Sequence, residues 1–327
     1  MRAPEFWLRG GWPAAALAPL AWLHDLGARL RDRHARPADP GVPVICVGNL
    51  TAGGTGKTPV AIEIARHLAT RGRRPAFLTR GHGGRLGGPL RVDPDRHAAA
   101  DVGDEPLLLA RVAPTIVARD RPLGARAAVA GGADVLVMDD GLQNPTLAKT
   151  LRIVVVDGAT GFGNRRVIPA GPLRVPLARG LAAADLFVLM GADAAGSRPL
   201  LAAHATVVDA ALEPDPVDAA RFAGRPVVAF AGIGRPEKFF ATLERCGARI
   251  AHRAAFPDHH RFAAAELAAL EDRARAADAT LATTAKDAVR LPSALRARVA
   301  VLPVRAVFSP AAALFDAVEE ATDVRSR

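Results

Sequence analysis

Val42-Pro-Val-Ile-Cys-Val47, followed by Gly48-Asn-Leu-Thr-Ala-Gly-Gly-Thr-Gly-Lys-Thr58 and then Pro59-Val-Ala-Ile62, is the stretch that decides the fold. A short apolar run, a glycine-rich loop and a helix opened by proline give a strand, a phosphate-binding loop and a helix amino terminus. Gly53, Gly54 and Gly56, with Thr51, Ala52 and Thr55 between and before them, free the loop backbone to turn its amides toward phosphate oxygens. Lys57 can reach the β and γ phosphates of a nucleotide, and the Thr58 hydroxyl can ligate Mg²⁺. Proline in the first helical turn sacrifices no hydrogen bond. The general pattern asks for glycine five positions before Gly56, and this chain has Thr51 there. A glycine-rich structural turn is the bland alternative, but the strand before and the helix after favour a phosphate site.

Working outward, apolar runs alternate with helical patterns: Ala76–Thr79, Thr115–Ala118, Val135–Met138, Ile153–Val156 and Leu186–Met190, with helices over Leu107–Val112 and Leu123–Ala130. Continuous apolar strands separated by helices imply a parallel sheet covered on both faces, an α/β core of the P-loop NTPase type. Such a loop needs an acid at the end of a neighbouring strand. Asp139-Asp140-Gly-Leu-Gln143 is the better candidate, and Asp157-Gly158 reads as a turn. Asp104-Glu105-Pro106 reads alone as a helix cap, and His259-His260 as a surface turn. Between 191 and 220 the pattern loosens around Pro199, Pro214 and Pro216. A second alternating set follows, predicting a smaller α/β domain. The expected division is 1–36 amphipathic helix, 37–215 core domain and 216–327 smaller domain.

The 327 residues carry 43 Lys and Arg against 33 Asp and Glu, a net charge of +10, yet only four of those cations are lysine. There is no tyrosine, and Cys46 and Cys246 stand too far apart in sequence for a disulfide scaffold or a cysteine zinc site. No basic block and no aromatic-rich strand stands out, so no nucleic acid is expected as a partner. The local concentration lies at the amino terminus. Trp12, Ala16, Leu20, Leu23, Leu26 and Leu30 share one helical face kinked by Pro19. Trp7, Trp12 and Trp22 are all the tryptophans, and Arg2, Arg9, Arg29, Arg31, Arg33 and Arg36 flank them. No run reaches the roughly 18 apolar residues of a spanning helix. The pattern admits a membrane-surface anchor or a helix packed on the main domain.

The motifs taken in order resemble the tetraacyldisaccharide 4'-kinases, the lipid A 4'-kinases of Gram-negative bacteria. The resemblance runs through Val47–Pro59, Arg80-Gly-His-Gly-Gly84, Gly103–Pro106, Asp139–Gln143, Asp157-Gly158, Phe162-Gly-Asn164 and Pro169-Ala-Gly-Pro-Leu-Arg174. It continues in Ala231-Gly-Ile-Gly234, Phe239-Phe240, Asp258-His259 and Lys286-Asp-Ala288. Thr51 is that family's habit. The resemblance implies ATP and Mg²⁺ as cofactors and transfer of the γ-phosphate to the 4'-hydroxyl of a tetraacylated glucosamine disaccharide 1-phosphate. It implies a monotopic protein at the cytoplasmic face of the bacterial inner membrane. Lys57 and Thr58 would handle phosphates and Mg²⁺; Asp139, Asp140 and Glu105 would belong to the metal and phosphate region, with Gln143 and Arg80 beside it. Asp104 paired with His259 would be the base for the sugar hydroxyl. Val175, Ala285 and Asn144 depart from the family pattern and receive no role. With an anionic lipid as acceptor, the amino-terminal segment reads as the anchor to an anionic membrane surface.

Two rivals remain on sequence alone: a membrane-associated P-loop NTPase that regulates or delivers without phosphorylating a lipid, and a basic nucleic-acid-binding protein with an incidental nucleotide loop.

Overall fold

The computed structural model describes residues 4–323; Arg2 lies outside them. Eight strands come first: β1 Val44–Gly48, β2 Pro75–Thr79, β3 Leu90–Arg91, β4 Thr115–Val117, β5 Val135–Asp139, β6 Leu151–Asp157, β7 Leu186–Met190 and β8 Thr206–Pro214. Then come β9 Pro226–Ala231, β10 Arg249–Ala255, β11 Thr280–Thr284, β12 Ala300–Leu302 and β13 Val304–Ser309. They form a nine-stranded sheet in the order β13-β8-β7-β6-β1-β5-β2-β4-β3 and a four-stranded sheet in the order β10-β9-β11-β12. The smaller sheet is parallel throughout, and the larger is parallel except at its edges, β3 and β13. The fold is the expected α/β, P-loop NTPase-like one.

β1 is central because it is apolar on both faces. Alternation sends Ile45 and Val47 to one side and Val44 and Cys46 to the other. The first side packs on helix Lys57–Thr70 through Val60, Ile64 and Leu68; the second meets Ala125 and Ala128 of helix Arg121–Ala130. Each fully buried aliphatic of this kind contributes about 1.5–3 kcal/mol. The register sets Val47 beside Asp139 and Gly48 beside Val154, so the loop after β1 opens next to the ends of β5 and β6. That carboxyl edge is where open α/β sheets bind ligands.

Two expectations change. The loosened stretch around 191–220 contains β8, whose apolar run is interrupted by Asp209 and of which only Val208 and Ala210 are buried. The chain after residue 303 does not stay with the smaller sheet. β13 pairs antiparallel with β8, and helix Ala311–Asp323 covers that edge by placing Leu314 and Val318 in the main core.

The amino-terminal segment forms two short helices, Phe6–Arg9 and Trp12–Ala16, and a longer one, Ala18–His34, where one kinked helix was expected. Gly10 and Gly11 adopt φ of 77° and 102° and break the first from the second. Pro19 sits in the first turn of the third, where it does not kink it. Trp12, Leu20, Trp22, Leu23, Leu26 and Leu30 are all exposed, whereas Asp25 is buried. Asp25 accepts a hydrogen bond from Arg29 at 2.7 Å and pairs with Arg179 at 3.3 Å. Trp7 differs from the other tryptophans: its indole donates to the Pro169 carbonyl at 3.0 Å, docking it on the body.

Candidate active site

Asn49 to Gly56 wrap from β1 to the helix that Lys57 begins. Gly53 and Gly56 adopt φ of 123° and 91°, which an L side chain rarely takes, and open space surrounds any Cβ at Gly53 or Gly54. The loop is braced from outside. The Ala52 amide donates to the Pro172 carbonyl, the Arg174 amide donates to the Leu50 carbonyl, and Thr51 bridges Leu173. Gln143 donates to the Asn49 carbonyl at 2.8 Å, so its amide holds the loop.

The strand-end acids stand against this loop. Thr58 Oγ1 donates to Asp139 Oδ2 at 2.9 Å, and Lys57 Nζ lies 3.7 Å from Asp140 Oδ1. Arg174 Nη1 donates to both oxygens of Asp140, at 3.0 and 3.1 Å. The two neighbours therefore titrate apart. Burial raises Asp140, but Lys57 and Arg174 outweigh it and hold the carboxyl low. Asp139 is pushed up to about 7 by burial, with Glu105 and Asp140 adding to the shift and Lys57 opposing it. Among the described residues, Asn49 Oδ1, Thr55 Oγ1 and Asp139 Oδ1 are buried without a hydrogen-bond partner. Gathered on the loop and at the end of β5, these oxygens are available to pair with a bound ligand or ion. No cluster of three or more His, Cys, Asp or Glu forms a metal cage among the described residues. Mg²⁺ seldom needs one, because phosphates and waters fill most of its shell.

Arg121 lies buried near these carboxylates, lowered to about 10 by burial and by its neighbour Arg80, which stands exposed after β2. Glu105 is close enough to raise Asp139, and the adjacent Asp104 turns to the second sheet. His259, half-exposed and at φ 58°, sets Nδ1 2.9 Å from Asp104 Oδ2. A carboxylate only accepts, so Nδ1 donates; Lys286 Nζ, which only donates, lies 3.2 Å from Nε2. The ring therefore carries its proton on Nδ1. Burial pushes Asp104 up, yet the His259 bond and the charges of Lys286 and Arg290 hold it far below the usual carboxylate range. The bond to Asp104 raises His259, with burial opposing.

The structure thus brings Thr51 to Thr58, Asp139, Asp140 and Glu105 together, and joins Asp104 to His259. Sequence reasoning missed three arginines. Arg174 was visible only as the last residue of a motif. Arg290, three residues after Asp287, binds Asp104, and Arg235 bonds Asp157 from the second unit. Asp157 does form the expected turn, accepting from the Ala159 amide at 2.9 Å, but it also ties the two sheets. The positions that depart from the family pattern serve locally: Asn144 accepts from Thr146, Val175 packs in the core, and Ala285 opens a turn that Thr284 caps.

Asp139 carries a stability cost. A carboxyl raised in the fold binds its proton more tightly there than in the unfolded chain. Its penalty is absent below about pH 4, grows with pH and is complete above about 7. Asp139→Asn is expected to stabilise the unliganded protein by about 1–2 kcal/mol at pH 8, and less at pH 5. Thermal melts at the two pH values check this; an equal gain at both would contradict it.

The family model described as Tetraacyldisaccharide-1-P 4'-kinase matches residues 13–322. A protein named tetraacyldisaccharide 4'-kinase from Rhodospirillum centenum is 56% identical over 309 residues, covering 93% of this chain and 92% of its own. One of the same name from Methylobacterium sp. (strain 4-46) is 55% identical over 317 residues, covering 95% and 94%. The crystal structure of LpxK from Aquifex aeolicus in complex with ATP superposes with a TM-score of 0.75 at 24% identity, over 95% of this chain and all of that one, and so shares the fold. On the match along nearly its whole length, the chain belongs to the tetraacyldisaccharide-1-P 4'-kinase family.

Proposed function

We propose that this chain transfers the γ-phosphoryl group of ATP to the 4'-hydroxyl of a tetraacylated glucosamine disaccharide 1-phosphate, giving lipid IVA. The observation that carries this reading is the meeting of two half-sites at Asp104-Glu105. Glu105 lies near enough to Asp139 for its charge to act on that carboxyl, and Asp104 is bonded to His259 of the second unit. A regulatory NTPase needs the first half only.

Lys57 and the loop amides bind the β and γ phosphates, and Arg174 holds Asp140 in place beside them. Thr58 and Asp139, with Glu105 nearby, would hold Mg²⁺; the orphaned oxygen of Asp139 suits it. When bound, that ion neutralises charge on the transferring phosphates. The Asp104–His259 pair takes the proton of the sugar hydroxyl. The hydroxyl oxygen forms its bond to the γ-phosphorus as the bond to the β–γ bridging oxygen breaks, and ADP leaves. We read the chain as an amino-terminal segment over 1–36, a core over 37–215 that 304–323 rejoins, and a smaller unit over 216–303 that closes over the nucleotide and excludes water. Phosphorus NMR of the product tests the acceptor: a new phosphomonoester beside the retained 1-phosphate supports the reading, and recovery of only inorganic phosphate sinks it.

The amino-terminal helices present the exposed apolar face to an anionic membrane surface, which we place at the cytoplasmic side of the inner membrane. No helix among the described residues is long and apolar enough to cross a membrane. The triple substitution Trp12→Glu, Trp22→Glu, Leu26→Glu changes only exposed side chains. It is expected to weaken flotation with phosphatidylglycerol vesicles by about tenfold or more. Unchanged flotation would argue against the anchor.

A further inference from the structure

Asp104 has a partner that the two half-sites do not require. Arg290 sets Nε and Nη2 on Asp104 Oδ2, at 3.1 and 2.9 Å, the same oxygen that receives His259. The remaining arm of the guanidinium, Nη1, donates to Asp287 Oδ1 at 2.9 Å and to the Gly232 carbonyl at 3.1 Å. Asp287 is itself fixed, accepting from the Gly232 amide at 3.0 Å and from Thr284 Oγ1 at 2.6 Å. The Arg290 and Asp287 side chains are 5% and 0% exposed. A planar fork held on one side by Asp287 and Gly232 has a single orientation, and that orientation is passed to Asp104. On the other side, among the described residues, Asp104 Oδ1 accepts only from the amide of Glu105, at 3.1 Å. The direction of the carboxylate is therefore set by Arg290 as much as by its own helix.

We infer that Arg290 is a positioning residue for the acceptor-side chemistry, locking the Asp104 carboxylate so that Oδ2 faces His259. The claim rests on the kinase reading given above. It also explains why a buried arginine is spent here. Replacing a whole buried ion network by apolar side chains often costs a fold little, so stability alone does not call for the Asp104–Arg290–Asp287 set, whereas a reacting pair loses rate when its geometry drifts by an ångström.

The test is a double-mutant cycle on phosphate transfer from labelled ATP to the acylated disaccharide. Arg290→Met is expected to lower kcat about 100-fold, with the KM for ATP unchanged, because the phosphate loop is untouched. In an Asp104→Asn background the same change is expected to cost nothing more. Arg290→Lys, which keeps the charge but not the fork, is expected to restore part of the rate, and it replaces Arg290→Met in the cycle should that variant not fold. Full additivity in the double mutant would overturn the inference, since Arg290 would then act through the fold and not through Asp104. The failure of the kinase reading is distinguishable: it would show as no lipid phosphorylation by the unaltered protein. In that case the imidazole nitrogen spectrum decides. The hydrogen-bonded Nδ1–H signal of His259, assigned by its disappearance in His259→Gln, is expected in the unaltered protein and lost in Arg290→Met. Its persistence unchanged would overturn the inference.

Discussion

Lys57→Ala lowers the rate of phosphate transfer by about three orders of magnitude. Two effects combine. The ammonium that meets the β and γ phosphates disappears, and so does a charge that opposes the upward push on Asp139. Without Lys57 the carboxyl at the end of β5 stays protonated further above neutral pH and serves a cation less well. Asp140 keeps Arg174 at 3.0 Å, so the loop retains its support and the variant is expected to melt within a few degrees of the unaltered protein. Lys57→Arg is not expected to rescue. The side chain is only 11% exposed, and a guanidinium fork is wider than an ammonium. The chain supports this, since it uses arginine almost everywhere else, with four lysines among 43 basic residues. Single-turnover rates with saturating ATP measure the effect; a loss below tenfold would contradict the assignment.

Asp104→Asn lowers transfer by about 10²–10⁴-fold, the range that a positioned acid–base group contributes. The amide keeps the shape but cannot orient His259 as a pure acceptor, and it leaves Arg290 buried without its charge partner. The pH profile separates catalysis from folding. His259 is raised by its bond to Asp104, so in the unaltered enzyme the pair fills with a proton as pH falls through that raised value, and the rate drops on the acid side. In Asp104→Asn the cause of the shift is gone, and the acid limb moves to lower pH at a much lower plateau. An acid limb that stays in place would show that His259 is not the titrating group.

How much of this was legible follows from how far apart the partners lie. The phosphate loop could be read because its chemistry is contiguous: glycines, lysine and threonine in one run between a buried strand and a helix. The acids Asp139 and Asp140 could be read because they end an apolar strand. The pairing of Asp104 with His259 spans 155 residues and came only with the family resemblance. Arg290 reaches Asp104 across 186 positions and Arg235 reaches Asp157 across 78. In a chain this rich in arginine, no local pattern marks those two. β13 was hidden for a different reason. As an edge strand covered on one side, it buries only Ala306 and Phe308, and its return to the first sheet leaves no trace in composition. Trp7 looked like its fellow tryptophans until its indole was found against Pro169.

The central claim is that the phosphate loop and the Asp104–His259 pair act on one transferring phosphoryl group. The direct measurement follows labelled γ-phosphate from ATP in detergent micelles containing the acylated disaccharide, for the unaltered protein and for Asp104→Asn side by side. The account predicts label in the lipid for the first, and for the second retained ATP binding with transfer reduced by at least about 100-fold. Label released only as inorganic phosphate by the unaltered protein, or equal lipid labelling by both, would contradict it.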